Sequence, residues 1–200
     1  MKHTFLKVFL IMTMLTGAAN AAEKISLPKP IKTGGMPVME AIDKRQSGKE
    51  FADKPIDNQT LSEILWVAYG MNVKGTRTIP TARNQQNMRL YVVMANGAWL
   101  YDAKKHQLEL VTKKDLRDLF VKGQDYMKTA PLNLVFVVND DDKWGELDAG
   151  ASYQNVGLYA ASKGLNAVVR GYFEDDKLEK ELRLKNDYEP KITMAIGYPK

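Results

Sequence analysis

The chain has 200 residues, 44% hydrophobic and 26% charged, enough for one globular domain with a real core. It has no cysteine and only two histidines, His3 and His106, which excludes thiol catalysis, disulfide frames and His/Cys metal clusters. Against 24 acidic residues stand 29 Lys and Arg, and without Lys2 and Lys7 the net charge is +3, a mildly basic surface and no nucleic-acid footprint.

Residues 1–21 read as a cleavable secretory signal. Lys2 and Lys7 precede an apolar run from Val8 to Leu15, and Ala19-Asn20-Ala21 gives a small-x-small cleavage site. The run is too short to span a bilayer, so the reading predicts a secreted or periplasmic protein starting at Ala22 or Glu23, with no stable membrane insertion. Residues 22–36 carry Pro and Gly and form an extended N-terminal arm. Residues 37–200 then read as a single domain without repeats or low-complexity segments.

Within that domain Pro37 to Lys44 predicts a short helix whose apolar side is Val38, Met39 and Ile42. Thr60-Leu61-Ser62-Glu63 is a capping-box pattern opening a helix to Gly70. Residues 71–89 are rich in side-chain amides and lack periodicity, which predicts an ordered loop. Leu90 to Ala95 and Ala98 to Tyr101 read as strands joined by an Asn96-Gly97 hairpin turn. Gln107 to Val111 alternates as a third strand, Thr112 to Lys122 reads as a helix, and Leu132 to Val138 as a buried strand. Asp140-Asp141-Asp142 lacks the following Glu that a calcium loop requires and reads as a solvated loop.

The stretch from Asp148 to Phe173 organises the rest. It predicts a buried helix capped by Asp148 and stopped by Gly164, then a strand from Leu165 to Val169 ending at Arg170-Gly171. Gly157 in mid-helix costs about 1 kcal/mol relative to Ala, so a neighbour is expected to press close there. A short helix from Asp176 to Leu184 and a strand from Lys191 to Ile196 complete the series.

Three segments carry possible chemistry. Arg45, Ser47 and Lys49 alternate after the first helix and read either as a phosphate clamp or as a solvated basic turn. Residues 81–87, Thr-Ala-Arg-Asn-Gln-Gln-Asn, offer amides that both donate and accept, as the edge of a pyrimidine-like ring requires, or else form a polar surface loop. Arg170-Gly171 presents backbone N–H groups at a strand end. With a single histidine outside the signal, an enzyme built on this chain needs a cofactor to carry its chemistry.

The order and wording of these segments resemble the nitroreductase-like flavoprotein superfamily. Lys44 to Phe51 is similar to its R-x-S-x-R-x-F/Y motif, with Lys49 in place of the second arginine, and Pro80 to Gln86 to its P-S-x-x-N-x-Q loop. Gln154-Asn155, Leu158, Ala161 and Gly164-Leu165 look like its central helix, and Gly197-Tyr198-Pro199 like its closing G-Y-P. Leu61-Ser62 to Leu65-Trp66, Arg77 to Pro80, Leu100-Tyr101-Asp102 with His106 and Leu108, and Gly123-Gln124 resemble the SagB-type, azoline-oxidising dehydrogenase branch. The likeness runs from Met39 to Pro199.

The resemblance implies an α+β fold with a central, mostly antiparallel sheet flanked by helices, and FMN held at the interface of an intertwined homodimer. Carried over by position, Arg45, Gln46, Ser47 and Lys49 line the phosphate and ribityl side. Thr81, Ala82, Arg83, Asn84 and Gln86 form the loop at the ring edge. A backbone N–H of Arg170 or Gly171 faces flavin N5. No catalytic acid or base and no metal site is implied. Asn87 and Met88 depart from the family's Pro-Trp, and Arg83 stands where a small residue is usual. The expected activity is exported, FMN-dependent, ping-pong hydride transfer on a small molecule; the alternative is a flavin- or partner-binding module without turnover.

Overall fold

The computed structural model describes residues 23–139, 143–185 and 187–200. The signal segment and the Asp140-Asp141-Asp142 run lie outside them. The described residues form a seven-stranded sheet in the order β1-β4-β3-β2-β5-β7-β6, antiparallel at every pairing. In chain order the elements are β1 (Lys24–Ser26), α1 (Val38–Lys44), α2 (Asn58–Tyr69), β2 (Arg89–Met94), β3 (Gly97–Asp102) and β4 (Gln107–Thr112). They continue with β5 (Leu132–Asn139), α3 (Gly145–Lys163), β6 (Asn166–Arg170), α4 (Asp175–Leu182) and β7 (Tyr188–Gly197). This is the expected α+β architecture, with a central antiparallel sheet between helices.

Alternation along β5 sets the two cores. Leu132, Leu134, Phe136 and Val138 face α2 and α3, while Val135 and Val137 face the opposite layer. That layer is made by residues 116–130 and by Leu178 and Leu182 of α4. Both faces are covered, so β5 is apolar from Leu134 to Val138, with Asn133 a buried polar residue near its start.

Several local expectations shift. Asp57, not Thr60, caps α2: its carboxylate accepts from Thr60 N at 2.9 Å and from Thr60 Oγ1 at 2.7 Å. These bonds hold its pKa down at about 2, with the Thr60 hydroxyl as the largest cause. Glu63 does not close a capping box because tertiary partners claim it. Gln59 Nε2 and Tyr159 Oη donate to it at 2.9 and 2.8 Å, and Lys163 Nζ stands 3.0 Å away. Nor does Asp148 cap α3, which starts at Gly145 after Trp144; Asp148 is buried within the first turn. Gly164 does end α3, in the left-handed region at φ 66. Residues 112–122 give only a 3-10 turn at Arg117–Phe120, because Leu119 O is taken by Glu174 N and Lys122 Nζ is drawn to Phe173 O.

The N-terminal arm is extended and partly paired. β1 aligns with β4, and Pro28 O accepts from Ser62 Oγ at 2.6 Å and lies 3.1 Å from His106 Nε2. Ser62 Oγ and Tyr101 Oη contact the two ring nitrogens of His106 at 2.7 and 2.8 Å. Ser62, Tyr101 and His106 thus anchor the arm.

Candidate functional site

The segment after α1 is fastened to the free edge of β6. Gly48 N donates to Ala167 O at 3.1 Å, and Asn166 Nδ2 donates to Glu50 O at 2.6 Å. A Cβ on Gly48 would lie 2.2 Å from Asn166 Oδ1, so the close approach requires glycine. Phe51 is buried and bridges Pro199, and Ala52 N donates to Tyr198 O. The backbone is therefore fixed while Arg45, Gln46, Ser47 and Lys49 point into solvent.

These four side chains make no hydrogen bond or ion pair with any described residue. They do not all point the same way. The Arg45 stem lies across Gly157 of α3, whose Cβ, if present, would sit 3.5 Å from Arg45 Cδ. This is the neighbour that the mid-helix glycine predicts. Gln46 lines a shallow pocket of about 220 Å³ with Ala161, Gly164 and Asn166. Lys49 turns to the other face of β6, where its Nζ lies 5.9 Å from the Tyr126 ring centre.

Arg170 ends β6 with its guanidinium in the same neighbourhood, 5.7 Å from the Tyr126 ring centre and only 5% exposed. The backbone carbonyl of Arg170 accepts from Thr193 Oγ1. Gly171 follows, exposed and with open space beside its Cα. Residues 45–49 and 170–171 are thus gathered along one edge strand. Tyr126, which links Lys49 to Arg170, is the residue that sequence reasoning missed; the adjacent Gly123-Gln124 motif marks the segment but not its place against β6.

Residues 81–86 lie elsewhere. They precede β2, whose Arg89 pairs with Val137, near the β5 end where Asn139 meets Tyr188. Residues 45–49 lie at the other end of the sheet, where Ile196 of β7 pairs with Ala167 on one side and Leu132 on the other. Thr81 and Ala82 are half-buried and lead into a 3-10 turn. Arg83, Asn84 and Gln86 take positive φ of 51, 55 and 54, an unusual concentration for residues other than glycine. Asn84 Oδ1 accepts from Gln86 Nε2 at 2.8 Å, and Arg83 borders a pocket of about 340 Å³ with Lys143, Trp144 and Tyr188. One chain does not bring this loop to the β6 cradle.

The apolar side of α1 faces outward: Val38 is 63% and Met39 73% exposed, and Ala41 alone of this helix is buried. Beside it runs a groove of about 420 Å³ floored by Trp66, Leu158 and Tyr159. Such a clustered apolar surface marks an interaction face.

The nitroreductase family pattern matches residues 42–198. A nitroreductase-like protein of Ralstonia eutropha, known as a crystal structure, superposes with a TM-score of 0.81 at 38% identity, over 88% of this chain and 90% of that one. A nitroreductase-like protein of Methanocaldococcus jannaschii is 26% identical over 178 residues, 79% of this chain and 89% of that protein. The fold is shared by an FMN-dependent nitroreductase of Clostridium difficile, with a TM-score of 0.57 at 17% identity over 81% of this chain and 87% of that one. With the family pattern spanning both the 45–51 cradle and the β6 edge, the chain belongs to the nitroreductase family.

Proposed function

We propose that this protein is an FMN-dependent oxidoreductase acting on a small molecule, working as a homodimer and exported by its N-terminal signal. The observation that carries the reading is the unpaired set of Arg45, Ser47 and Lys49 on a backbone fixed to β6. Two cations and a hydroxyl without hydrogen-bond or ion-pair partners among the described residues suit a phosphorylated, polyhydroxylated cofactor. Arg45 and Ser47 take the phosphate and ribityl oxygens, and Lys49 approaches from the Tyr126 side. The Asn84 and Gln86 amides meet the ring edge, and the Arg170-Gly171 backbone presents N–H groups to N5. FMN, when bound, supplies reversible hydride transfer in two ping-pong half-reactions.

The division of these groups between two ends of the sheet supports a site shared by two chains, and the exposed α1 face supplies the contact surface. His106 stays outside this chemistry, since Ser62, Tyr101 and Pro28 surround its ring. Because nicotinamide cofactors are scarce outside the cytosol, a dehydrogenase or oxidase of a small-molecule or peptide-derived ring, as in the SagB-type branch, fits an exported protein. Purified mature protein should show the visible absorption of bound flavin. Arg45→Ala should lower FMN affinity about ten- to hundredfold, read by quenching of flavin fluorescence. Colourless protein that does not quench added FMN refutes the proposal.

A further inference from the structure

Three cations and two tyrosine rings gather on the face of β6 away from α3. Lys49 and Arg170 flank Tyr126, while Lys122 Nζ lies 4.7 Å from the Tyr172 ring centre and donates to Phe173 O. None of the three forms an ion pair with a described residue. Arg170 is the sharpest case. Nη1 donates to Phe120 O, but Nε and Nη2 are buried without a hydrogen-bond partner among the described residues. Burial lowers its pKa, opposed only by Tyr126.

A buried polar group without a partner needs an explanation, and a guanidinium cannot escape by losing its proton. The two unpaired nitrogens form the side-on edge of the guanidinium, which matches the two oxygens of a carboxylate. Tyr126 lies beside the guanidinium, its ring centre 5.7 Å from Arg170 Cζ. It is half-buried on the 3-10 turn Asp125–Thr129, which follows Lys122 and Gly123 at positive φ of 30 and 76. Its hydroxyl donates to Gln124 Oε1, so the ring is held by a residue next to the same short turn. The Arg45 stem, by contrast, lies on the α3 face, so the proposed phosphate contact and this fork fall on opposite sides of β6.

We propose that Arg170, through its Nε and Nη2, and Lys49 form an oxyanion subsite that selects carboxylate-bearing substrates for the flavin reaction, with Tyr126 beside both cations. This rests on the flavin reading given above.

Benzoate and benzamide, planar probes differing in charge, should be titrated into FMN-loaded protein while flavin absorption is followed. Benzoate is expected to bind about tenfold more tightly, an advantage that 0.5-unit steps in log salt reduce and that Arg170→Met abolishes, on the order of one charge-assisted contact. Equal binding of the two probes, or an advantage that survives Arg170→Met, overturns the subsite. Arg170→Met apoprotein should melt no lower than the parent, because an uncompensated buried charge is removed. If that variant does not fold, Arg170→Lys must lose most of the benzoate preference, and retention counts against the fork. A loss of FMN affinity without loss of riboflavin affinity in Arg170→Met assigns the fork to the cofactor phosphate and overturns the substrate role. Protein that takes up no FMN refutes the flavin reading itself. The subsite is then read separately, as benzoate protection against thermal unfolding that Arg170→Met removes.

Discussion

Replacing Gly157 tests how the cradle is held. A Cβ at this position would lie 3.5 Å from Arg45 Cδ and 3.6 Å from Arg45 Cγ, with no closer neighbour. Those are ordinary van der Waals distances, so Gly157→Ala fits, and removing a mid-helix glycine should add about 1 kcal/mol. For a chain of this size that raises the melting temperature by about 2–4 °C. Gly157→Leu places its next carbon ~1.5 Å beyond Cβ, into space the Arg45 methylenes occupy. Overpacking a rigid core costs about 1–3 kcal/mol, but an exposed arginine can swing away for less. The damage should therefore appear in ligand affinity more than in stability. Gly157→Leu should melt near the parent temperature and bind FMN about ten- to hundredfold more weakly, while Gly157→Ala binds as the parent does. Titration of apoprotein by flavin fluorescence quenching, with a melting curve for each variant, provides both readings. Parent-like FMN affinity in Gly157→Leu would refute either the phosphate role of Arg45 or its placement by α3.

Three further outcomes follow from the geometry. Asp57→Ala should destabilise the protein by about 0.5–2 kcal/mol through loss of the α2 cap; because the cap bonds hold the folded carboxyl down at about 2, below the ordinary aspartate value of 3.8, its contribution is present above pH 3.8 and is lost as pH falls through 2. His106 has a folded pKa lowered chiefly by burial, with Lys32 adding to the effect and the Pro28 carbonyl opposing it. Neutral His106 therefore stabilises the fold fully above pH 6.5, and stability should decline as pH falls through the folded pKa; His106→Gln should flatten that slope in pH-dependent melting, and an unchanged slope rejects the arm-anchor account. Light scattering should give twice the chain mass, and Val38→Glu with Met39→Glu should give the single-chain mass; a monomeric parent counts against the α1 interface.

Much of the fold was legible because β2 and β5 are rich in apolar residues and buried on both faces, and Gly164 stops α3 where its sequence says it should. The misplaced ends had tertiary causes. Asp57-Asn58-Gln59-Thr60 and Thr60-Leu61-Ser62-Glu63 are overlapping cap signatures, and only the Tyr159 and Lys163 contacts to Glu63 decide between them. Residues 112–122 have helical spacing, but Leu119 and Lys122 are bound by the chain after β6. Of the site, the exposed cations and amides were legible as residue types. Their directions were not: nothing in the alternation of Arg45, Ser47 and Lys49 tells that β6 passes between the first and the last.

That separation bears on how many chains one site needs. Residues 45–49 dock where β6 begins, and Ala167 there is linked through Ile196 to Leu132, beside the Met94 end of β2. Residues 81–86 precede Arg89, at the other end of β2. The five steps from Arg89 to Met94 span ~17 Å at strand rise, before the loops themselves are counted. Neither segment can close this gap by bending locally. Gly48 and Asn166 fix the first to β6, and Asn155 Nδ2, which donates to Val67 O and Thr78 O, holds α3 against the chain leading into the second. If both touch one cofactor, the amide loop must come from a second chain. The outward apolar face of α1, which precedes the cradle directly, is then where the two copies would be joined. Dimer formation and cofactor capture should accordingly be lost together when that face is charged.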